Sequence, residues 1–456
     1  MYLQLAILAT SMQYSSDQSW GDSKAQVIDT YARWSWAPIT TYELALQDEP
    51  NLAVVQAIAL LAVIDAVAGR KRASWVKIGM AIRIGQDLRL MCEPDPALPV
   101  SEQLDRRRLF WSLYLEERIV CCASLRPLAI RDSECYVRLP SAHEGYSQES
   151  PNDQPVTLPA VLNDRHPKPP GDFSSVILMA SAMGRTAQYA FHDMNETLPP
   201  WNPKSEYGSI QSTLFIFTSQ SEPQSSITET IRRKFQVDGK IDQPKAGHFI
   251  LSHALYHLSY CILTHPFLLA MKLRNCGYEI PPTWLKSTRD ECFLHSQSLS
   301  RFLIEAKAVG CMTTATSSYC ILVAGSIQAL FLDAEDSQTQ DQVWDCIQSC
   351  REYLEDVSHR WKSAHSFAAG LDNFLSLSVR YSPIVKDHTF VNDLSPADIE
   401  ILRSVIDFGI MSNPSNPVSK TFAASDMVFN DESYSMLDNI EGLSCLPQVL
   451  SSAQWT

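Results

Sequence analysis

Four side chains able to bind metal recur every fourth residue: His253, His257, Cys261 and His265. On a helix they drift along one side. Two imidazoles at i and i+4 can share a metal, and a thiolate one turn on can be a third ligand. No carboxylate or further Cys/His cluster stands nearby in sequence to complete a shell. The surrounding Leu251, Leu255, Leu258, Ile262 and Leu263 read as a packed helix. Ser74-Trp-Val-Lys77 matches the Ser-x-x-Lys of penicillin-binding enzymes, but no Lys-Thr-Gly or Ser-Asp-Asn accompanies it, so Ser74 is read as a helix N-cap. Gly21-Asp22-Ser23 has no strand before it to hold a nucleophile on a turn. Gly-x-Ser-x-Gly, Walker, Gly-x-Gly-x-x-Gly and His-Glu-x-x-His patterns do not occur. The expectation is a non-enzyme with no catalytic residues, no bound cofactor and no metal. The rival reading is a helical enzyme or small-molecule binder using the His253–His265 region.

The 12 cysteines are scattered with no Cys-x-x-Cys, which reads as reduced, buried thiols in a reducing compartment. The apolar N-terminus lacks the basic n-region of a signal peptide, since the first cation is Lys24. In such a compartment the Asn195-Glu-Thr sequon is silent.

The elements that would position these groups are helical. Over 456 residues there are 26 prolines against 16 glycines, and no alternating strand run of useful length. Helices are predicted from Ser74, over about 102–124 and 174–194, and then over 226–237, 246–275, 282–307, 312–334, 339–361, 364–380 and 395–411. Residues 140–172 and 198–225 read as polar loops. Leu52–Gly69 is nearly long enough to span a bilayer, yet Gln56, Asp65 and six alanines make it a buried helix of a soluble protein. Phe249–Leu273, with three histidines and a proline, reads as still less membrane-like. The net charge of −14 argues against a whole-chain polyanion binder.

Residues 70–138 run against that charge, with thirteen Lys/Arg to nine Asp/Glu. Arg106, Arg107 and Arg108 open a helix, where the dipole disfavours cations, so acidic partners are expected, Asp105 among them. The cluster reads as a solvated, salt-bridged face. Phe110, Tyr114, Glu117 and Cys121 share another face, which puts a carboxylate in the core. Arg118 and Arg126 are its candidate partners.

Arg106-Arg-Arg-Leu-Phe110-Trp111-Ser-Leu-Tyr-Leu-Glu-Glu117-Arg118, then Leu125-Arg126-Pro127-Leu-Ala-Ile130 and Asp132-Ser-Glu-Cys-Tyr-Val-Arg-Leu139-Pro140, resemble the fungal-specific transcription factor domain, the middle homology region of fungal zinc-cluster regulators. Ala73-Ser-Trp75…Gly79-Met-Ala-Ile82 fits its lead-in. Tyr256-His257…His265-Pro-Phe267-Leu is similar to a later Leu-His-Arg-Pro-Phe element. The likeness is dense over 50–140 and diffuse to about 380. Glu117-Arg118 stands where the family has Asp-Arg, Leu125 where it has Gly, and Leu88-Arg89-Leu90 where it has Leu-Gly-Leu.

The resemblance implies an all-α, single large irregular multi-helix regulatory domain over 1–412, with long polar loops. A flexible acidic tail follows at 413–456. After Lys420 the tail sets Asp426, Asp431, Glu432, Asp438 and Glu441 among Met, Phe, Tyr, Leu and Ile with no Lys or Arg, either as an activation segment or as a frayed end. It implies a nuclear protein controlling metabolic or biosynthetic genes. The family's DNA reader needs six cysteines in two Cys-x2-Cys-x6-Cys halves, which this chain cannot supply. Zinc is therefore expected only in a missing N-terminal zinc cluster, lost by truncation of the gene or absent in a headless regulator. DNA would be reached through that head or a full-length partner. A homo- or heterodimer, a small-molecule inducer and the transcription machinery, met by the tail, are the other implied partners; a membrane is not.

Overall fold

Helix α1 (Tyr2–Tyr14) carries no charged side chain and buries Ala6 and Ala9. These small residues let α2 (Ser23–Thr40) lie against it, and Ser35 Oγ donates to the Tyr2 carbonyl at 2.9 Å. Asn51 starts α3 (Leu52–Val67) by accepting from the Val54 N–H. Helix α3 is buried against α1 and against α4 (Lys71–Asp87). Its one carboxylate, Asp65, is held by Arg70 at 2.7 Å and Lys77 at 2.5 Å, and Arg70 reaches on to Asp29 of α2 at 3.0 Å. This clamp turns the chain early. Helix α4 therefore begins at Lys71 with Arg70 as N-cap, and Ser74, the expected N-cap, is buried inside the helix.

The computed structural model describes residues 1–15, 20–21, 23–40, 51–122, 126–140, 156–163, 171–192, 198–219, 226–274, 276–333 and 337–407. All of these belong to one compact unit, Met1–Asn413, and a second unit, Pro414–Thr456, lies outside the described residues. The tail, the sequon and Leu125 also lie outside them.

From α4 the chain passes through a Pro-rich break to α5 (Val100–Cys122) and then to the 3-10 turn Asp132–Glu134. The expected loop at 140–172 contains the short α6 (Leu158–Leu162), and Arg138 forms an isolated antiparallel bridge with Thr157. Helix α7 (Asp172–Phe191) packs along α5. The expected polar loop at 198–225 instead holds α8 (Glu206–Ser219). Its Gly, Ser, Thr and Gln residues mask the period, but Tyr207, Ile210, Leu214 and Phe217 are buried at helical spacing against α7. After α9 (Ile227–Phe235) the chain turns through Asp238-Gly239, both at positive φ, in a hairpin of β1 (Gln236–Val237) and β2 (Lys240–Ile241).

The predicted helix 246–275 is two helices. Helix α10 (Gln243–Leu263) and α11 (Pro266–Leu273) meet at 44°, because Pro266 lacks the N–H that would continue α10. Then follow α12 (Pro282–Ala308), α13 (Ala315–Leu330), α14 (Ser337–Ser358), α15 (Lys362–Tyr381), α16 (Pro383–Lys386) and α17 (Pro396–Ser404), the last opened by a Ser395–Asp398 capping box. Helix α13 is buried on all sides from Ser317 to Leu330, among α12, α14 and α15. The two ends of the body meet where Tyr14 packs edge-on against Trp361 at 5.5 Å.

Among the described residues no single helix is long and apolar enough to cross a membrane. Helix α3, ranked first from sequence, is too short; the bent α10–α11 pair meets the length and composition test that α3 does not. That pair buries Leu255, Leu258, Cys261, Leu263 and Phe267 in the core. The cysteines among the described residues are free.

Glu116 of α5 has Oε2 buried with no partner among the described residues, and burial pushes its carboxyl up to about 8. Between the ordinary value of 4.5 and about 8, the folded chain keeps a proton that the unfolded chain releases, so stability falls as pH rises. Glu116→Gln removes this loss. Its Tm should exceed the parent's at about pH 8 and converge on it near pH 4. Parallel Tm–pH curves for the two proteins would count against this account.

Candidate functional site

Part of the signature, Glu117 and Arg118 with Tyr114, Ile130 and Asp132, converges on one buried guanidinium. Arg118 on α5 is 1% exposed and lies over the Tyr114 ring, 4.2 Å from its centre. It bonds Glu117 at 2.8 Å, the Ile130 carbonyl at 2.8 Å and Asp132 at 2.7 Å. Glu117 also accepts from the backbone N–H groups of Ala129 and Ile130, at 2.5 and 3.2 Å. Asp132 accepts from the Tyr114 hydroxyl at 2.6 Å and from Ser181 of α7 at 2.6 Å. One cation thus faces two carboxylates, and two hydroxyls and two amides stabilise the remaining negative charge.

Of the two partners open to Glu117 on sequence grounds, the structure selects Arg118. Arg126 instead donates to the Lys71 carbonyl at 3.2 Å and stacks on Trp75, 5.1 Å from the ring centre. Burial raises the Asp132 carboxyl, but Arg118, Ser181 and Tyr114 outweigh it and hold the group below its ordinary range. For Glu117 burial prevails over Arg118 and the two amides, and the carboxyl stays above its usual value.

A second node lies at the start of α5. Arg107 bonds Glu93 at 2.8 and 2.5 Å, and Arg138 bonds the same carboxylate at 2.7 Å while its N–H reaches the other oxygen at 3.1 Å. Arg106 pairs with Glu102 at 3.2 Å and donates to the Leu88 carbonyl. Glu93 and Glu102 therefore take the roles expected of Asp105. The cluster is packed at Arg106 and Arg107, not a fully solvated face, and Arg108 alone of the three is exposed.

Phe110 and Trp111 are buried beside this node, and Trp111 Nε1 donates to the Arg138 carbonyl at 2.9 Å. Leu139 is buried with its N–H on the Val156 carbonyl at 2.7 Å, and Pro140 accepts from Ser174 of α7. Pro127 is exposed, and its carbonyl faces the Cys121 thiol. The residues 126–140 are thus pinned between α5 and α7 along their length.

Sequence reading missed Glu93, Tyr114 as a hydroxyl donor, Asp132, Ser181 and Gly184. Asp132 stood inside the quoted signature, an acid on the far side of Arg126-Pro127 from Arg118. Ser181 and Gly184 gave no local signal. A Cβ on Gly184 would sit 2.6 Å from Arg118 Cδ, so α7 passes the guanidinium stem without room for a methyl group.

The other candidate set is divided among separate tasks. His253 Nδ1 donates to the Phe249 carbonyl at 2.9 Å, and its ring stacks on Phe302. His257 and His295 share a hydrogen bond between Nδ1 atoms at 2.9 Å. His265 caps α11 by accepting from the Phe267 N–H at 3.2 Å. Burial lowers His253 to about 4 and His265 to about 3, and raises the Cys261 thiol well above its ordinary value. No group of three or more His, Cys, Asp or Glu among the described residues is arranged to hold a metal ion.

Removing one partner from a buried ion network costs about 3–5 kcal/mol, because the remaining charges are left unpaired. Arg118→Met should lower the urea midpoint accordingly. Gly184→Ala should lower it too, through an overpacking cost of about 1–3 kcal/mol in stability. A parent-like midpoint for Arg118→Met would show that the network is not what holds 126–140 in place.

The sequence profile of the fungal specific transcription factor domain matches residues 1–237, from α1 through β1. The citrinin biosynthesis transcriptional activators of Monascus ruber and Monascus purpureus are each 23% identical over 217 residues. That is 44% of this chain, but 40% and 35% of theirs. The ascochitine biosynthesis cluster transcriptional regulator of Didymella fabae is 26% identical over 199 residues, 42% of this chain and 31% of its own. This chain thus aligns with less than half the length of each relative. No solved structure matches. The His265-Pro-Phe267 element lies beyond the matched residues, whereas the Arg118 network lies wholly within them. With more than half of its length covered by that profile, the chain belongs to the fungal specific transcription factor domain family.

Proposed function

We propose that this protein is a transcriptional regulator of a metabolic or biosynthetic gene set, acting in the nucleus on genes read by RNA polymerase II. The observation that carries this reading is the family match over 1–237, within which Glu117 and Arg118 of the signature join Asp132 in a buried network. The relatives support the class of target: two are activators of citrinin biosynthesis, and the third is a regulator of an ascochitine cluster. In this reading residues 1–412 are a regulatory body, and 413–456 are an acidic-hydrophobic activation segment. Arg106, Arg107, Phe110, Trp111, Glu117, Arg118, Leu139 and Pro140 shape that body, Arg126 and Pro127 tie its loop to α4 and α5, and Arg108 stands at its surface. No catalytic step is assigned. That assignment is supported by how Arg106, Arg107, Glu117, Arg118 and Arg138 are used, each bonded to another group of the chain. DNA is reached through a zinc-cluster segment of the same gene or through a full-length partner, as a homo- or heterodimer.

The whole chain, and separately residues 413–456, fused to a foreign DNA-binding domain should switch on a reporter carrying that domain's site. A silent reporter with both fusions at normal nuclear levels rejects the activator reading. In a gel shift on random duplexes the chain alone should give no sequence-specific band. A specific, zinc-dependent band would overturn the assignment of DNA reading to a separate head.

A further inference from the structure

Most cations between 70 and 138 are consumed by carboxylates, but one stripe on α4 is not. Arg72, Trp75, Val76, Gly79 and Arg83 follow one another at helical spacing along its outer side. Arg72 and Arg83 are exposed and have no carboxylate partner among the described residues; Arg83 bonds only Gln86. Trp75 is 37% exposed and Val76 57%. Arg126 lies over the Trp75 ring and feels the charge of Arg72, which adds to the positive potential at this end of the face. The nearby acids are engaged or marginal. Asp65 is taken by Arg70 and Lys77, Asp407 is buried beside Lys71 and Arg126, and Asp87 stands at the far end of the helix.

Gly79 is the second observation. A Cβ there would meet nothing within 4 Å, so no packing inside this chain requires glycine. Glycine in a helix interior is destabilising relative to alanine, and here it leaves a bare notch of backbone between Trp75 and Arg83. Such a notch allows another backbone to approach closely.

We infer that this face of α4 is a docking surface for a helical protein segment bearing carboxylates at both ends of an apolar stripe. Arg72 and Arg83 are eleven residues apart, about 16 Å along the axis at ~1.5 Å per residue, so the partner's acids stand about three turns apart. Its aliphatic or aromatic side chains cover Trp75 and Val76, and its backbone crosses at Gly79. Charge complementarity favours this occupant, since Arg72 and Arg83 at the two ends of the apolar stripe have no carboxylate partner among the described residues. A DNA backbone fits less well. Phosphates have no use for an exposed valine and tryptophan, and the −14 chain repels a duplex.

The test uses the full chain and a fluorescent synthetic helical peptide with glutamates three turns apart and leucine and phenylalanine between them. Binding should weaken with salt, and the double variant Arg72→Glu/Arg83→Glu should lose about tenfold or more in affinity. Gly79→Gln should raise the thermal midpoint yet weaken peptide binding, which separates loss of the surface from loss of the fold. Unchanged affinity in both variants overturns the proposal, as does equal binding of a peptide with lysines in place of the glutamates. Tighter, Arg72- and Arg83-dependent retention of a DNA duplex than of the peptide would reassign the face to nucleic acid.

Discussion

A buried guanidinium is an unforgiving constraint. Arginine does not lose its proton in a protein, so burial cannot be relieved by neutralisation, and each charge must be answered by geometry. Arg118 is answered by Glu117 from its own helix, and by the Ile130 carbonyl and Asp132 from the following loop. Because Glu117 in turn binds the Ala129 and Ile130 amides, the loop is held from both its donor and its acceptor groups. Ser181 then attaches α7 to Asp132, and the glycine at 184 lets α7 come close enough to do so. An apolar core would tolerate exchange of one aliphatic side chain for another of similar volume. This node fixes a register instead, because a shift of either helix would leave a charge unpaired.

The same residue type does opposite work two helices apart. Arg107 and Arg138 close on Glu93 and tie the Pro-rich break to the chain after α5. Arg70 and Lys77 close on Asp65 and join α2, α3 and α4. In each case the acid is central and the cations come from different segments, so the local excess of positive charge is spent on architecture. Only when these pairs are subtracted does the outer side of α4 stand apart. A count of charge along the sequence cannot make that subtraction, because partners are chosen across 5 to 45 residues.

What could be read from the sequence follows the same division. The shared face of Phe110, Tyr114, Glu117 and Cys121 was legible because helical period alone places them, and it required a buried acid to have a cationic partner. Which arginine it would be was not legible. Arg118 and Arg126 were both within reach on paper, and the loop backbone decided between them. The helical character was plain from long apolar periods, but α8 was lost among Ser, Thr and Gln, whose composition resembles a loop although Tyr207, Ile210, Leu214 and Phe217 keep a helical beat. The end of α10 was missed for the converse reason, since an unbroken apolar run concealed the break at Pro266. Ser74 had every local mark of an N-cap, and the salt-bridge clamp from Asp65 to Arg70 and Lys77 overrode them.

The histidines show how burial changes what a residue type means. His253, His257 and His265 have the spacing of a ligand set, yet each ring nitrogen in use serves a neighbour: a carbonyl, another imidazole, a helix-start amide. Their pKa values lie below the ordinary value because burial disfavours the charged form, so these rings remain neutral aromatics at neutral pH. A neutral imidazole in this setting acts as a packing group with a directional hydrogen bond. The α10–α12 interface and the Arg118 node are therefore alike in kind, since the His257–His295 bond in one and the Asp132–Ser181 bond in the other each hold one helix against a neighbouring segment.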